Sequence, residues 1–236
     1  MSSNLINQAQ VNSVRDLSIL VPNFFIPDYG SAMSTAPYIR GVGARSTGQS
    51  MALYVDNVPY FEKTTFDFNF YDILQVEVLR GSQSTLYGRN ALGGVVNIYT
   101  LSPFEYQGTK LSVTGGNYGL LQAQASYYDK LSNKTGLSLS GYYHHRNGFF
   151  TNTFTGKDAD WKTSAGGRAK FDWHILPSLR AQYIINYDFV NQNAFPYGLY
   201  DATTKSTAEP NFNDKSSYLR DMLTNSLLFE FQNDKI

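Results

Sequence analysis

Lys162-Thr-Ser-Ala-Gly-Gly-Arg-Ala-Lys-Phe-Asp-Trp-His-Ile175 decides what kind of chain this is. One side of it collects Ala165, Gly167, Ala169, Phe171, Trp173 and Ile175, and the other Arg168, Lys170, Asp172 and His174. That is period two, which belongs to a strand and not to a helix. The next segment repeats it, with Leu179, Ala181, Tyr183, Ile185, Tyr187 and Phe189 alternating against Arg180, Gln182, Asn186 and Asp188. Segments at 110–116, 120–130, 135–147 and 217–232 follow the same rule less cleanly. The region after Pro103 is therefore predicted to hold about six antiparallel strands.

Several of these segments exceed the roughly 5 to 6 residues of an average globular strand and match the roughly 9 to 11 that a tilted strand needs to cross a bilayer. The connections at Leu131 to Lys134 and Leu176 to Ser178 are tight, whereas those at 148–161 and 190–216 are long. Gly116-Asn-Tyr-Gly119 is a short exception among the latter set. An outer-membrane barrel has short periplasmic turns and long outer loops, in this same alternation. A soluble sandwich also alternates in hydrophobicity, but has no reason to gather its long loops at one end.

Composition points the same way without deciding the matter. Aromatics make up 15% of the chain, with 18 Tyr and 16 Phe, while charged residues fall to 16%, against an ordinary share of about 25%. Tyrosine suits a wet boundary, its ring on hydrocarbon and its hydroxyl in water. A soluble, aromatic-rich β binding module fits these figures equally. Lys plus Arg and Asp plus Glu both total 19, so no basic field exists to hold nucleic acid. The absence of Cys removes disulfides and thiolate metal sites. No run approaches the roughly 18 apolar residues of a membrane helix, so only a barrel could span. The start, Met1 to Gln10, lacks the basic and apolar regions of a signal peptide, and an exported chain is expected to begin upstream of it.

Before Pro103 the period changes. Val11, Val14, Leu17 and Leu20 recur every third position, Ser13 can cap, and Pro22 stops continuation, which predicts a short amphipathic helix ending near Val21. Tyr38-Ile-Arg40 and Met51-Ala-Leu-Tyr-Val55 read as strands, Asp56-Asn57 as a turn, and Phe70 to Asp72 as a second helical stretch. Val76-Glu-Val-Leu79 and Gly93-Gly-Val-Val-Asn-Ile98 complete a mixed α/β domain over residues 1 to about 102.

Within that domain, Leu79-Arg-Gly-Ser-Gln-Ser-Thr-Leu-Tyr-Gly-Arg-Asn-Ala-Leu-Gly-Gly-Val-Val-Asn-Ile-Tyr99 closely resembles the segment that ends the plug domain of TonB-dependent receptors. Ile39-Arg-Gly-Val-Gly43 and Leu53-Tyr-Val-Asp-Asn-Val-Pro-Tyr60 resemble two further plug motifs in the same order. The residues that carry the resemblance are Gly41, Asp56, Gly81, Tyr87, Gly88, Arg89, Gly93 and Gly94. Ser82, Ser84 and Asn57 depart from it, standing where the family commonly has Pro, Gly and Gly.

The resemblance implies a mixed α/β plug over residues 1–102, its N-terminal part lying outside the chain. Residues 103–236 are then the first strands of an incomplete transmembrane β-barrel, which has about 22 strands when complete. It implies a receptor of the bacterial outer membrane for energised uptake of a scarce nutrient, an iron complex such as a ferric siderophore first and cobalamin or a glycan as the alternative. Its implied partners are the TonB–ExbB–ExbD complex, outer-membrane lipid and the extracellular ligand. Arg40 and Arg80 match plug arginines that pair with barrel carboxylates, a releasable latch whose acidic partners are expected beyond Ile236. Tyr29, Tyr38, Tyr60, Phe61 and the 190–216 loop are the candidate ligand contacts.

Other chemistries are not expected. Gly41-Val-Gly43 is no dinucleotide loop, since residue 46 is Ser and no helical pattern follows. His144 and His145 are strand neighbours pointing to opposite faces, a poor metal pair. Asp56, Asp67, Asp72 and Glu77 have plainer roles as turn, loop and strand residues than as a catalytic pair. No Gly-x-Ser-x-Gly motif occurs, so neither an enzyme nor a resident cofactor is expected. A passive porin is disfavoured by the globular domain ahead of the strands.

Overall fold

The computed structural model describes residues 1–43, 49–88 and 90–232, in two compact units, Met1–Leu101 and Ser102–Ile236. The first is built on a four-stranded mixed sheet of β1 (Met51–Val55), β2 (Val58–Tyr60), β3 (Ile73–Arg80) and β4 (Gly94–Thr100). The order is β2-β1-β4-β3, with β4 parallel to β1 and antiparallel to β3. Asp56 and Asn57 both take left-handed backbone, φ 48° and 64°, the conformation that a two-residue hairpin matching strand twist demands. The Asp56 carboxylate is fixed by Thr100, whose backbone N–H donates at 2.8 Å and whose Oγ1 donates at 2.6 Å. β4 is one of the two inner strands, and Val95, Val96, Asn97 and Ile98 are all buried, the continuous run expected of a strand covered on both faces.

Two helical expectations need correction. The segment from Val11 to Leu20 is not an α-helix: it holds a 3-10 helix at Arg15–Ile19, and the α-helix α1 lies earlier, at Ser3–Gln8. Of the four spaced residues only Leu17 lies in that 3-10 helix: Val14 and Leu20 flank it, and Val11 precedes the bridge of Ser13 to Asn69. Val11, Val14 and Leu17 are nonetheless all buried. Phe70 to Asp72 is not helical either. Phe70 N–H donates to the Asn12 carbonyl at 2.7 Å, Asp72 is left-handed at φ 62°, and Phe70 and Tyr71 are both buried. The helical turn of that region is Lys63–Asp67, and a further short helix, α2, forms at Ser84–Tyr87.

The second unit is a meander of six antiparallel strands paired in chain order. They are β5 (Gly108–Gly116), β6 (Leu120–Asp129), β7 (Thr135–Arg146), β8 (Lys162–Leu176), β9 (Leu179–Asn193) and β10 (Ser217–Phe231). Among the described residues β5 and β10 do not pair, so the sheet is open. Strand β9 runs to Asn193, past the expected end at 189, because Asn191 and Gln192 continue its pairing with both β8 and β10. Each long loop carries a small hairpin with no clear sequence signal: Thr151–Asn152 with Lys157–Asp158, and Tyr200–Asp201 with Ser206–Thr207. No described helix is long and apolar enough to cross a membrane.

This sheet inverts the soluble rule. Arg168, Lys170 and Asp172 are 3%, 2% and 0% exposed, while Phe171 and Trp173 beside them are 37% and 45% exposed. On β9 and β10 the pattern continues, with Asn186 and Asp188 buried while Tyr183, Ile185, Tyr187, Leu223, Leu227 and Phe229 are open. A polar side turned in and a continuous greasy side turned out is stable only where hydrocarbon covers the latter.

Candidate functional site

The three plug-like motifs meet in the first unit. Gly93 N–H donates to the Ser50 carbonyl at 2.7 Å. A Cβ at Gly93 would stand 3.2 Å from that oxygen and from the methyls Ile39 Cγ2 and Val42 Cγ1. At Gly94 a Cβ would collide with the Leu79 carbonyl oxygen. Glycine here lets the turn after Ile39 lie directly on the last motif. That turn uses Arg40 at φ 49° and Gly41 at φ 78°, and Arg40 N–H donates to the Asn23 carbonyl at 2.8 Å.

Arg40 and Arg80 both present exposed side chains. Arg80 ends β3, next to Gly81 at φ 116°. Among the described residues neither guanidinium pairs with a carboxylate. Arg89 lies outside the described residues.

Tyr87 and Gly88 close α2 and form one wall of a cleft of about 860 Å³. Tyr54, Tyr60, Phe61, Glu62 and Lys63 are among its other lining residues. Two candidate ligand contacts, neighbours in sequence, both line it, Tyr60 buried and Phe61 70% exposed. The Tyr54 hydroxyl donates to the Tyr87 carbonyl at 3.3 Å, their rings meet edge to face at 5.1 Å, and Asn97 Nδ2 donates to Tyr87 Oη at 3.1 Å. Burial, and then the nearby Tyr87 phenol, push the Tyr54 hydroxyl above its ordinary pKa, so it stays a neutral donor. Tyr29 and Tyr38 do not line the cleft. The Tyr38 ring lies against the Gly43 backbone, in a small sheet with Phe24–Phe25.

The long-loop end of the second unit holds residues that sequence reading missed. Arg146 pairs with Asp160 at 3.3 Å and covers the Phe149 ring at 3.9 Å. Asp160 Oδ1 also accepts from the Phe149 and Phe150 backbones, at 2.8 and 3.0 Å. Buried Asn152 joins the 147–161 loop to the 194–216 loop. Deeper on the polar face, Asp172 accepts from Arg180 Nη2 and Gln182 Nε2, each at 2.7 Å. Asp188 accepts from Tyr142 and Arg220. Alternation marked these as one polar face, but side-chain partners many positions apart leave no local signal.

Comparison with known proteins agrees with the motifs and the strands. Residues 1–95 match the family model of the TonB-dependent Receptor Plug Domain. The pesticin receptor of Yersinia pestis is 33% identical over 105 residues, which is 44% of this chain and 16% of that receptor, and the pesticin receptor of Yersinia enterocolitica is similar to the same degree. The chain thus spans about a sixth of the length of these curated relatives.

Among solved structures, the ferric yersiniabactin uptake receptor FyuA from Yersinia pestis superposes with a TM-score of 0.84 at 21% identity, over 99% of this chain and 38% of that one. Pseudomonas aeruginosa FpvA, in complex with a heterologous ferric pyoverdine, gives 0.80 at 14% identity, over 100% and 31%. The open form of the ferric-catecholate import receptor Fiu from Escherichia coli K12 gives 0.75 at 18% identity, over 99% and 36%. Residues 1–95 therefore carry the plug domain of TonB-dependent receptors, and the strands that follow share the fold of the matching part of these solved uptake receptors.

Proposed function

We propose that this protein takes part in the energised uptake of a scarce iron complex, of the ferric siderophore class, across the outer membrane. The observation that carries the reading is the joining, in one chain, of a plug domain to a sheet whose charged side is buried and whose aromatic side is open. That pairing counts against a soluble binding module, which would hide Phe171 and Trp173, and against a passive porin, which needs no plug. The iron complex is favoured because the solved receptors that share this fold are receptors for ferric yersiniabactin, ferric pyoverdine and ferric catecholates.

In this reading residues 1–102 are the plug, and residues 103–236 begin a wall of about 22 strands. Ligand is selected by the 190–216 loop and by Tyr29, Tyr38, Tyr60 and Phe61, whose rings pack on the apolar parts of a chelate. Tight capture requires work for release, and the outer membrane has no nucleotide to supply it. The TonB–ExbB–ExbD complex delivers that work to the plug, and Arg40 and Arg80 hold the plug through charge-assisted pairs until it does. The test is accumulation of radiolabelled iron, offered as phenolate, catecholate and hydroxamate chelates to iron-starved cells that express the receptor. TonB-dependent accumulation of one chelate is the expected result. Uptake of labelled cobalamin or an oligosaccharide in place of every chelate would overturn the cargo.

A further inference from the structure

We propose that Asn152 is a positioning residue that makes the 147–161 loop and the 194–216 loop a single recognition body, so that neither selects ligand alone. Asn152 is 4% exposed although it sits in a surface loop. Its Nδ2 donates to the Phe212 carbonyl at 2.9 Å, and its Oδ1 accepts from the Phe212 N–H at 3.3 Å. The side-chain amide offers one donor and one acceptor to a single residue of the other loop, as a neighbouring strand would. Oδ1 also accepts from Phe154 N–H at 3.0 Å, which fixes the rotamer from its own side.

The next residue continues the seam. Thr153 N–H and Thr153 Oγ1 both donate to the Pro210 carbonyl, at 2.8 and 3.2 Å. Proline has no N–H to give in return, so the seam at this step is donated from the Asn152 side. At the base of the loops, Asn193 Nδ2 donates to the Asp158 carbonyl at 2.9 Å, and Asn193 N–H to the Trp161 carbonyl at 3.0 Å. The first loop is therefore held by the second at Asn152 and Thr153 and by the end of strand β9 at its root. Once joined, the loops present Phe154, Tyr197, Leu199 and Tyr200, all more than half exposed, as parts of one surface.

The functional meaning rests on the uptake reading, but the geometry does not, and the test uses no ligand. The chain contains no Cys, so spin labels at Thr155→Cys and Asp214→Cys report the gap between the loops without background. Labels at Leu111→Cys and Leu223→Cys report the sheet. With the protein in outer-membrane vesicles, the loop pair is expected to give one narrow distance distribution, broadened in Asn152→Ala while the sheet pair is unchanged. Asn152→Asp keeps the acceptor and loses the donor, and is expected to fall between.

Limited trypsin digestion supplies a readout that a purely local role would not move. Cleavage at Lys157 in one loop and at Lys205 and Lys215 in the other should rise together in Asn152→Ala, by about tenfold. An unchanged loop-pair distribution, or cleavage that rises at Lys157 alone, would overturn the proposal and leave the uptake reading untouched.

Discussion

Tyr142 and Asp188 are joined by a hydrogen bond of 2.6 Å although the whole of strand β8 runs between them. The residue between is Gly166, which faces Tyr142 on one side and Asp188 on the other in the same cross-strand row. A Cβ there would stand 2.6 Å from Tyr142 Cε1 and 2.7 Å from the Tyr187 carbonyl oxygen. The tyrosine ring lies in the hollow that the missing side chain leaves.

Gly166→Ala should therefore push the ring off its strand, at a cost of about 1–3 kcal/mol from overpacking. Tyr142→Phe, which keeps the ring and loses the bond to a charged acceptor, should cost about 1.5–3 kcal/mol. Because both act on one contact, the double variant should fall well short of their sum. Urea unfolding midpoints in detergent, with a heat-modifiability gel as a second probe, decide it. Full additivity would mean that the hollow and the bond are unrelated.

Arg220 shares Asp188 with Tyr142, and both charged side chains are largely buried. Removing one side of such a pair strands the other, so Arg220→Met should lose about 3–5 kcal/mol. Adding Asp188→Asn should recover a large part of it, since an amide needs no counter-charge. The same unfolding measurement reads both variants, and a double variant no better than Arg220→Met would refute the pairing as the cause.

The open aromatic side makes a spectroscopic prediction. The chain has 2 Trp, and Trp173 is 45% exposed between the buried Asp172 and the partly buried His174. In a Trp161→Phe background, brominated acyl chains should quench the remaining fluorescence strongly, while a water-soluble quencher should reach it weakly. Leu227→Arg, on the same side, should destabilise the barrel by about 2–4 kcal/mol if its position is near mid-bilayer. Quenching by the soluble agent alone would place Trp173 in water.

A pH effect is expected outside the membrane, at the 200–207 hairpin. Thr203 N–H donates to Asp201 Oδ1 at 2.8 Å, and Thr204 assists. These donors hold the Asp201 carboxyl below its ordinary pKa. A depressed folded value means that the carboxylate's contribution is in full force at neutral pH and is lost only as pH falls through that lowered value. The Thr203 amide resonance should therefore titrate with a midpoint more acidic than an unperturbed Asp, and Asp201→Ala should abolish the transition. A midpoint at or above the ordinary value would show that the bonds are not formed in solution.

Much of this was legible in the sequence. Alternation locates the strands of the second unit to within about two residues at each end, save β9, which runs four residues past its expected end, because a side-chain period of two survives any tertiary context that keeps one side greasy. Met51–Val55 and the Asp56-Asn57 turn were legible for the same local reason, since few residue pairs accept two left-handed conformations in succession. The two helical readings failed where local pattern competes with packing. The spacing of Val11, Val14 and Leu17 marks three buried residues and not one helix, since only Leu17 lies in the 3-10 turn, and Phe70 and Tyr71 are held by burial. The candidate contacts divided likewise. Tyr60 and Phe61 share a cleft because a tight hairpin and the Tyr87 segment meet there, whereas Tyr38 is held by Gly43. Asn152, Asp160 and the Tyr142–Asp188–Arg220 group were invisible, since each acts across a gap in sequence that no periodicity spans.

Strands β8, β9 and β10 each run 15 residues. At a rise of about 3.4 Å per residue that is roughly 50 Å of ribbon, or about 35 Å of height at the usual 45° tilt. The apolar band of such walls is about 25 Å tall. Some 10 Å of wall is left over beyond that band, about the combined depth of the two polar headgroup layers, so the strand ends and the loops that join them emerge from the hydrocarbon into a polar setting.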